Sequence, residues 1–277
     1  MTLNPIALLT HALAEPSAFT PEALLEAVRA ARGLPRDPVP AVCILEFDGD
    51  LTDWLISTGA AKPCKSWACF HTKLHALDVD ETPCGIVPRT IGGPYAVLIA
   101  EQLKSSGAQV ILGLTSAGRV AASVPVPSLV VPTAAIRDEG ASYHYLAANH
   151  PAVAHAKLAD SLSCSLTSLG IPVLSGAVWT TDAPYRETNQ QLADYARQGV
   201  LAVEMQAASL FAFGIAQRIP VAMVAHVTNA VDHEEAPFEK GSHEFSQRLL
   251  ETMCRVAKSF LAAGIQGSSD ESSSNDG

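Results

Sequence analysis

The sequence predicts an α/β fold, with a single domain in which a central mixed β-sheet is flanked by helices. Short apolar runs alternate along the chain with amphipathic stretches, a pattern typical of strands that alternate with helices. Hydrophobic residues make up 48% of the 277 residues and charged residues 17%, so the chain can bury a large core. Residues 242–264 repeat apolar side chains at spacings of three and four, which predicts a long helix with one buried face.

Residues 1–38 are predicted to form a helical extension that precedes the domain. Thr20 is placed to cap a helix whose first position is Pro21. Gly33 and Pro35 end this helix, because neither residue continues one readily.

The predicted domain spans residues 39–264, and a tail follows it. Strands are predicted over residues 41–47, 67–79, 84–90, 109–114, 172–180, 200–203 and 220–227. Helices are predicted over residues 93–106, 152–169, 187–197, 207–218 and 242–264. The proline-rich segment 124–133 is predicted to be irregular or at a strand edge. The tail, residues 265–277, is rich in Gly, Ser, Asp and Glu, and we expect it to be disordered.

Composition excludes several classes of function. The formal net charge of −10 argues against nucleic-acid backbones and anionic membranes as partners. No apolar run reaches the ~18 residues that a membrane span needs, and the N-terminus lacks the pattern of a signal peptide. The six cysteines show no paired zinc-type spacing. These features predict a cytoplasmic protein with reduced cysteines and no metal site.

The stretch from Gly199 to Phe211 carries the clearest functional signal. Its apolar run, Val200–Val203, delivers the carboxylate of Glu204 and then turns into an Ala/Leu/Phe-rich helix. A charge at the end of a buried run is costly unless it is paired or used. At the carboxyl end of a strand in an α/β protein, the usual use is ligand binding. The alternative is that Glu204 is simply a surface residue where a strand meets a helix.

This stretch resembles a signature of the nucleoside phosphorylase superfamily, which includes uridine and purine nucleoside phosphorylases and related nucleosidases. Val203–Ala208 is similar to the family's Val-Glu-Met-Glu-Ala-Ala sequence. Four more stretches match in the family's order: Ile91–Pro94, Gly113–Gly118, Ala135–Tyr145 and Trp179–Glu187. The resemblance implies an α/β pentosyltransferase, expected to be a homo-oligomer, that uses inorganic phosphate to release a free base and a sugar 1-phosphate. It implies no cofactor beyond phosphate as co-substrate.

The resemblance also implies roles for individual residues. Glu204, Met205 and Gln206 match the ribose-binding element. His226 and Asn229 follow a strand that in relatives carries the leaving-base contact, so Asn229, Glu204 and His226 are the catalytic candidates. His226 is also open to interpretation as a buried core histidine.

The remaining candidates concern the phosphate and the base. The small-residue loop with Thr115 and Ser116 is expected to hold phosphate, because small residues and hydroxyls let an oxyanion approach the backbone. The alternative is a plain turn. The candidates for the base are the side chains that follow the next strand: Asp182, Tyr185 and Arg186. Tyr185 is suited to stack on a nucleobase, and Arg186 either binds a carbonyl of it or forms a structural ion pair.

The sequence departs from the family pattern where phosphate should bind. The first turn, Phe47–Asp50, contains two acids and no arginine, and Leu112 stands where many relatives have a second arginine. A phosphate dianion beside two acids is unfavourable without a cation. The candidates to replace those arginines are Arg119, Arg137 and Arg89, or a cation from a neighbouring subunit.

Two amides replace family carboxylates. Gln206 carries no charge to support an oxocarbenium-like sugar, and Asn229 cannot protonate a leaving base. Asn229 therefore favours uridine or another good leaving base. Two alternatives to phosphorolysis follow: a hydrolytic nucleosidase, and a non-catalytic protein that binds nucleosides.

Overall fold

The computed structural model describes residues 7–10, 12–230 and 241–272. The ten strands in this part of the chain are β1 Val42–Glu46, β2 Ala61–Pro63, β3 His75–Val79, β4 Thr82–Pro88, β5 Val110–Arg119, β6 Ser128–Asp138, β7 Ala152–Val153, β8 Val173–Thr181, β9 Ala202–Glu204 and β10 Val221–Ala230. Its α-helices are α1 Pro21–Arg32, α2 Asp50–Ser57, α3 Gly93–Ser105, α4 Ala156–Leu166, α5 Asn189–Arg197, α6 Ala207–Gln217 and α7 His243–Ser272.

One long strand, β5, closes part of the sheet on itself. The strand order is β10-β6-β8-β9-β5-β1-β4-β3-β2, and β10 also pairs with β5. Strands β5, β10, β6, β8 and β9 therefore form a closed ring, from which β1, β4, β3 and β2 extend as an open sheet. Both parallel and antiparallel pairs occur, which confirms the predicted mixed sheet. Helix α3 packs against α6, and α4 packs against α7, around a continuous buried core.

Strand β5 is longer than the sequence predicts, and β6 is a strand where the sequence predicts only an irregular or strand-edge segment. Strand β5 continues past Leu114 to Arg119, because its second half pairs with β10 and β9. Strand β6 has 11 residues and includes part of the segment predicted to be irregular. Its register against β8 shifts between Pro132 and Ala134, so the proline, which has no N–H to donate, sits at an irregularity in the ladder.

Other boundaries are also corrected. Of the strand predicted over residues 67–79, only His75–Val79 is extended and paired. The helix predicted over residues 152–169 begins at Ala156, because Ala152 and Val153 pair with β6. Helix α7 continues past Gly264 to Ser272. A glycine weakens a helix by about 1 kcal/mol relative to alanine but does not end it.

Part of the predicted tail lies outside the described residues, namely residues 273–277, and its disorder stays a prediction.

The predicted N-terminal helix is present and lies against α3. The Thr20 hydroxyl caps it by accepting from the Ala23 N–H at 3.3 Å, and Gly33 ends it with φ 62°. Arg29 donates to the hydroxyl of Ser106 at 3.1 Å, just after α3. All six cysteines are free. None of the helices in the described part of the chain combines the length and hydropathy that a membrane span requires.

We expect Gly113→Ala to destabilise the fold where β5 passes between two large side chains. A Cβ at Gly113 would lie 2.7 Å from Met223 Cγ and 3.1 Å from Phe47 Cε2. Overpacking of this kind costs about 1–3 kcal/mol, so calorimetry should show a lower melting temperature. The control is Gly264→Ala in α7, where a Cβ meets nothing within 4 Å and should leave the melting temperature equal or higher. A Gly113→Ala protein as stable as the parent would contradict this account of the packing.

Candidate functional site

The carboxyl end of β1 lies beside the middle of β5, which pairs in parallel with both β1 and β10. A cavity of about 40 Å³ opens there, which we call the acidic cavity. Its polar lining consists of three acids, an imidazole and four hydroxyls: Glu46, Asp48, Asp50, His226, Thr115, Ser116, Thr228 and Ser246. No lysine or arginine is among the described residues that line it. A water molecule needs roughly 10–15 Å³, so the cavity has room for water.

Asp48 binds the small-residue segment that the sequence predicts to be a phosphate-binding loop, which in the structure is part of β5 because it pairs with β10. Its carboxylate accepts hydrogen bonds from the Ser116 N–H at 3.1 Å and from the Ser116 hydroxyl at 3.0 Å. The neighbouring Thr115 hydroxyl donates to the Ser116 carbonyl at 2.7 Å. These donors, which would bind an oxyanion, are therefore engaged within the chain, two of them by a carboxylate.

Glu46, the last residue of β1, fixes the turn that carries Asp48. Its Oε1 accepts from the Gly49 N–H at 2.7 Å, and its Oε2 accepts from the N–H and hydroxyl of Thr52 at 3.3 and 2.8 Å. Burial raises the pKa of Glu46, and the hydrogen bonds from Thr52 and Gly49 oppose that rise. Sequence reasoning missed Glu46, although an acid that ends an apolar run is the same signal that singled out Glu204.

His226 lies near the end of β10 and faces the acidic cavity. Its ring centroid is 5.3 Å from that of Phe245 in α7. Burial lowers the pKa of His226, and the charge of Asp48 opposes that shift. The imidazole is therefore predominantly neutral at pH 7, with one nitrogen able to donate and one able to accept a hydrogen bond.

Glu204 is buried, and its oxygens are bound within the protein. Oε1 accepts from the Thr180 hydroxyl at 2.5 Å, and Oε2 accepts from the N–H groups of Gln206 and Ala207 at 2.6 and 2.9 Å. Ala207 begins α6, so the carboxylate caps that helix and ties it to β8. Burial is the main cause that raises the pKa of Glu204 to about 7. These contacts tie Glu204 to Thr180 and to the start of α6, and its predicted ribose contact stays a prediction.

Met205 and Gln206 lie between the end of β9 and the start of α6. Met205 is half-buried, whereas Gln206 is buried. The Gln206 amide oxygen accepts from the Met205 N–H at 3.2 Å. Glu204 fixes the backbone of Gln206, and the predicted ribose contacts of Met205 and Gln206 stay predictions.

The predicted phosphate cation Arg137 holds a loop instead. Its Nε donates to the Ser142 hydroxyl at 2.8 Å, and its terminal nitrogens donate to the carbonyls of Leu146, Ala147 and His150 at 2.6–2.9 Å. The guanidinium also lies over the Tyr143 ring, 4.2 Å from its centroid. A guanidinium has five N–H donors, and four of them are committed to this loop.

The other two candidate cations differ in their surroundings. Arg119 ends β5, pairs with Ala202 through the backbone, and is half-buried. Arg89 forms an ion pair with Asp53, in which both side chains are more than half exposed. Its guanidinium also covers the turn at Gly49, where a Cβ would lie 2.9 Å from Arg89 Cζ. Arg89 is therefore the cation that lies directly beside the Asp48 turn.

The predicted base-binding residues lie at the end of β8 and in the short turn after it. Asp182 accepts from the Gly140 N–H at 2.8 Å, and burial raises its pKa. Tyr185 and Arg186 lie on a 3₁₀ turn, and Tyr185 is fully exposed. Among the described residues, no side chain covers the Tyr185 ring to form a second wall for a base.

Glu139 is a buried acid in this region that sequence reasoning did not single out. Its Oε2 accepts from the Ser142 N–H at 2.9 Å and from the Ser209 hydroxyl of α6 at 2.6 Å. Its Oε1 is buried with no hydrogen-bond partner among the described residues. The charge of Glu139 contributes to the raised pKa of both Asp182 and Glu204.

Asn229 lies in β10 opposite Gly118 of β5, after a shift in register. Its side chain lies outside what the structure describes, so its predicted contact with the base stays a prediction. Across the described residues, no group of three or more His, Cys, Asp or Glu side chains is arranged to hold a metal ion.

Glu204→Gln should lower stability most at acidic pH. A pKa raised in the native state means that folding favours the protonated acid, so the stabilisation is complete below the unfolded pKa and falls as pH rises towards about 7. A glutamine side chain does not titrate, and its NH₂ group would face the backbone N–H groups at the start of α6. Urea unfolding at pH 5 and pH 8 should therefore show a larger loss at pH 5 than at pH 8. The surface variant Glu15→Gln is the control, and equal losses at both pH values would refute the assignment.

Arg137→Met should destabilise the protein, whereas Arg119→Met should not. Methionine keeps an apolar stem but leaves carbonyl groups of the 146–150 segment without their donor. Hydrogen bonds from a charged group are worth about 1.5–3 kcal/mol each, so a melting-temperature drop of several degrees is expected. Arg119 is the matched control. If both variants melt like the parent, the loop does not depend on Arg137.

Comparison with known proteins places this geometry in a family. A family model described as the phosphorylase superfamily matches residues 42–262. The chain is similar to the uridine phosphorylase of Haemophilus influenzae, with 23% identity over 198 residues that cover 66% of this chain and 79% of the relative. It is 30% identical over 140 residues to the guanosine phosphorylase of Halorubrum lacusprofundi, covering 50% of this chain and 58% of the relative. It is 25% identical over 185 residues to the purine nucleoside phosphorylase of Plasmodium vivax, covering 63% and 75%. Since the matched region spans most of its length, the chain belongs to the phosphorylase superfamily.

Proposed function

We propose that this chain cleaves the N-glycosidic bond of a nucleoside with water as the nucleophile and Asp48 as the general base. The observation that carries the proposal is the pair of hydrogen bonds from the Ser116 N–H and hydroxyl to the Asp48 carboxylate. Phosphorolysis needs those donors for a phosphate oxygen, and here an acid of the chain holds them. Nucleoside cleavage itself is supported by the family match and by the relatives named above.

The charge of the acidic cavity also favours water over phosphate. Two unit charges about 4 Å apart interact with roughly 4 kcal/mol at an effective dielectric constant of 20. A dianion placed among Glu46, Asp48 and Asp50 would meet several such repulsions, and no cation is among the described residues that line the cavity. Water carries no such penalty.

The reaction then follows from the geometry. Asp48 takes a proton from water, the water oxygen bonds to the anomeric carbon, and the C–N bond breaks with its electron pair moving to the base. The base acquires a proton afterwards. Met205 and Gln206 would hold the sugar, and Glu204 would orient both through the cap of α6. Asn229 stays the predicted contact for the base, with uridine as the expected substrate.

Phosphorolysis is the second candidate, and Arg89 is the observation that favours it. The Arg89 guanidinium lies on the Gly49 turn, and its ion pair with Asp53 is exposed and therefore weak. A phosphate that displaced Asp48 from Ser116 would need this cation. The predicted homo-oligomer, the absence of a metal or redox cofactor and the cytoplasmic location stay predictions.

A product assay separates these reactions. Uridine, guanosine, inosine and adenosine are each incubated with the protein, with and without inorganic phosphate, and the sugar product is identified by chromatography. We expect free ribose to form at a rate that does not depend on phosphate. Asp48→Asn should lower that rate by about 10²–10⁴-fold, the usual contribution of a general base.

A control variant and the dependence on phosphate distinguish hydrolysis by Asp48 from the alternatives. Asp160→Asn, on the exposed side of α4, should leave the rate unchanged. Phosphate-dependent formation of ribose 1-phosphate that Arg89→Met abolishes would establish phosphorolysis instead. If no nucleoside is cleaved under either condition, the chain is a binding protein and both enzymatic proposals fail.

A further inference from the structure

A second cavity, of about 510 Å³, lies between the N-terminal extension, α3 and the 140–145 segment. Its size falls within the roughly 300–1,000 Å³ that is typical of small-molecule sites. It shares no lining residue with the acidic cavity. One wall is formed by residues 17–24, which precede the region matched by the family model. We call it the extension cavity.

Most of its lining is apolar. Phe19 and Leu24 contribute from the extension, and Val97 and Leu98 contribute from α3. Phe19 is 72% exposed and Leu98 41% exposed, so an aromatic ring and an aliphatic side chain remain open to a ligand. Covering such apolar surface with a flat hydrophobic molecule removes it from water, which lowers the free energy.

The polar side chains that line this cavity differ in whether they have hydrogen-bond partners. Glu101 accepts hydrogen bonds from the Tyr145 hydroxyl at 3.0 Å and from Gln217 at 3.3 Å. Gln102 lines the same cavity and is only 2% exposed. Neither its amide oxygen nor its amide nitrogen has a hydrogen-bond partner among the described residues. A buried amide without partners is unfavourable, and a ligand that reached it would relieve that cost.

We propose that the extension cavity binds a neutral, flat heteroaromatic molecule that carries an N–H donor and a carbonyl acceptor side by side. The carboxamide of Gln102 presents the complementary pair, one acceptor and one donor, to such a lactam edge. The apolar lining covers the rest of the molecule, and Phe19 offers a ring for stacking. The site depends on residues of the extension and does not depend on the reaction at the acidic cavity.

The test uses two matched probes on the full-length protein. The first, 1(2H)-isoquinolinone, has the lactam edge, and the second, isoquinoline, has the same bicycle without an N–H donor. Binding is measured by calorimetry for the parent, for Gln102→Leu and for Leu98→Trp. Ile56→Trp on α2 is the control, because Ile56 is 42% exposed and does not line the cavity.

We expect the lactam to bind the parent and Ile56→Trp equally, and Gln102→Leu about tenfold more weakly, the factor that one or two net hydrogen bonds supply. Leu98→Trp should weaken lactam binding at least tenfold, because the indole occupies part of the cavity beside α3. Isoquinoline, whose ring nitrogen can only accept a hydrogen bond, should bind more weakly than the lactam and lose less affinity on Gln102→Leu. The proposal is overturned if the lactam does not bind at millimolar concentration, or if Leu98→Trp leaves its affinity unchanged. It is equally overturned if sedimentation shows that Leu98→Trp dissociates an oligomer, because the cavity would then be an interface between copies.

Discussion

A carboxylate hydrogen-bonded to Ser116 within β5 sets the electrostatic character of this site. Asp48 accepts hydrogen bonds from both the N–H and the hydroxyl of Ser116. Its carboxylate therefore occupies the two donors that a bound oxyanion would otherwise use. The surrounding acids then make a second negative group costly and leave water as the reactant that needs no counter-ion. The reaction proposed here follows from that one contact more than from the fold, which serves both hydrolysis and phosphorolysis.

The contact exists because β5 has two parallel neighbours. Strand β1 delivers the Asp48 turn on one side of β5, and β10 delivers His226 on the other. Parallel strands end at the same edge of a sheet, so residues distant in sequence meet there. The second half of β5 closes the ring with β9, which ends at Glu204. The same strand therefore connects the acidic cavity to the start of α6.

Much of this arrangement could be predicted from the sequence, and the limits have physical causes. The mixed sheet and the helix capped by Thr20 follow from local patterns and from ordered family resemblances, whereas the predicted loop at Ser116 is part of β5. The extension of β5 and β6 could not be predicted, because pairing with distant strands holds those residues. Arg137 is a phosphate candidate by its charge and its place in the Ala135–Tyr145 motif, and neither reveals which carbonyls a guanidinium will meet. Likewise, nothing local in the sequence shows that residues 17–24 form a cavity with α3.

Three buried glutamates share one hydrogen-bonding pattern, which differs from the contact that Asp48 makes with Ser116. Glu46, Glu139 and Glu204 each end or follow a strand and accept N–H groups from the residues that come next in the chain. These carboxylates offset the burial of their charge by capping the following turn or helix, which is a structural use. Asp48 instead accepts its hydrogen bonds from Ser116, on a different strand of the sheet. Local capping accounts for the three glutamates, whereas the contact of Asp48 with Ser116 joins segments distant in sequence at the acidic cavity, where the proposed general base would act.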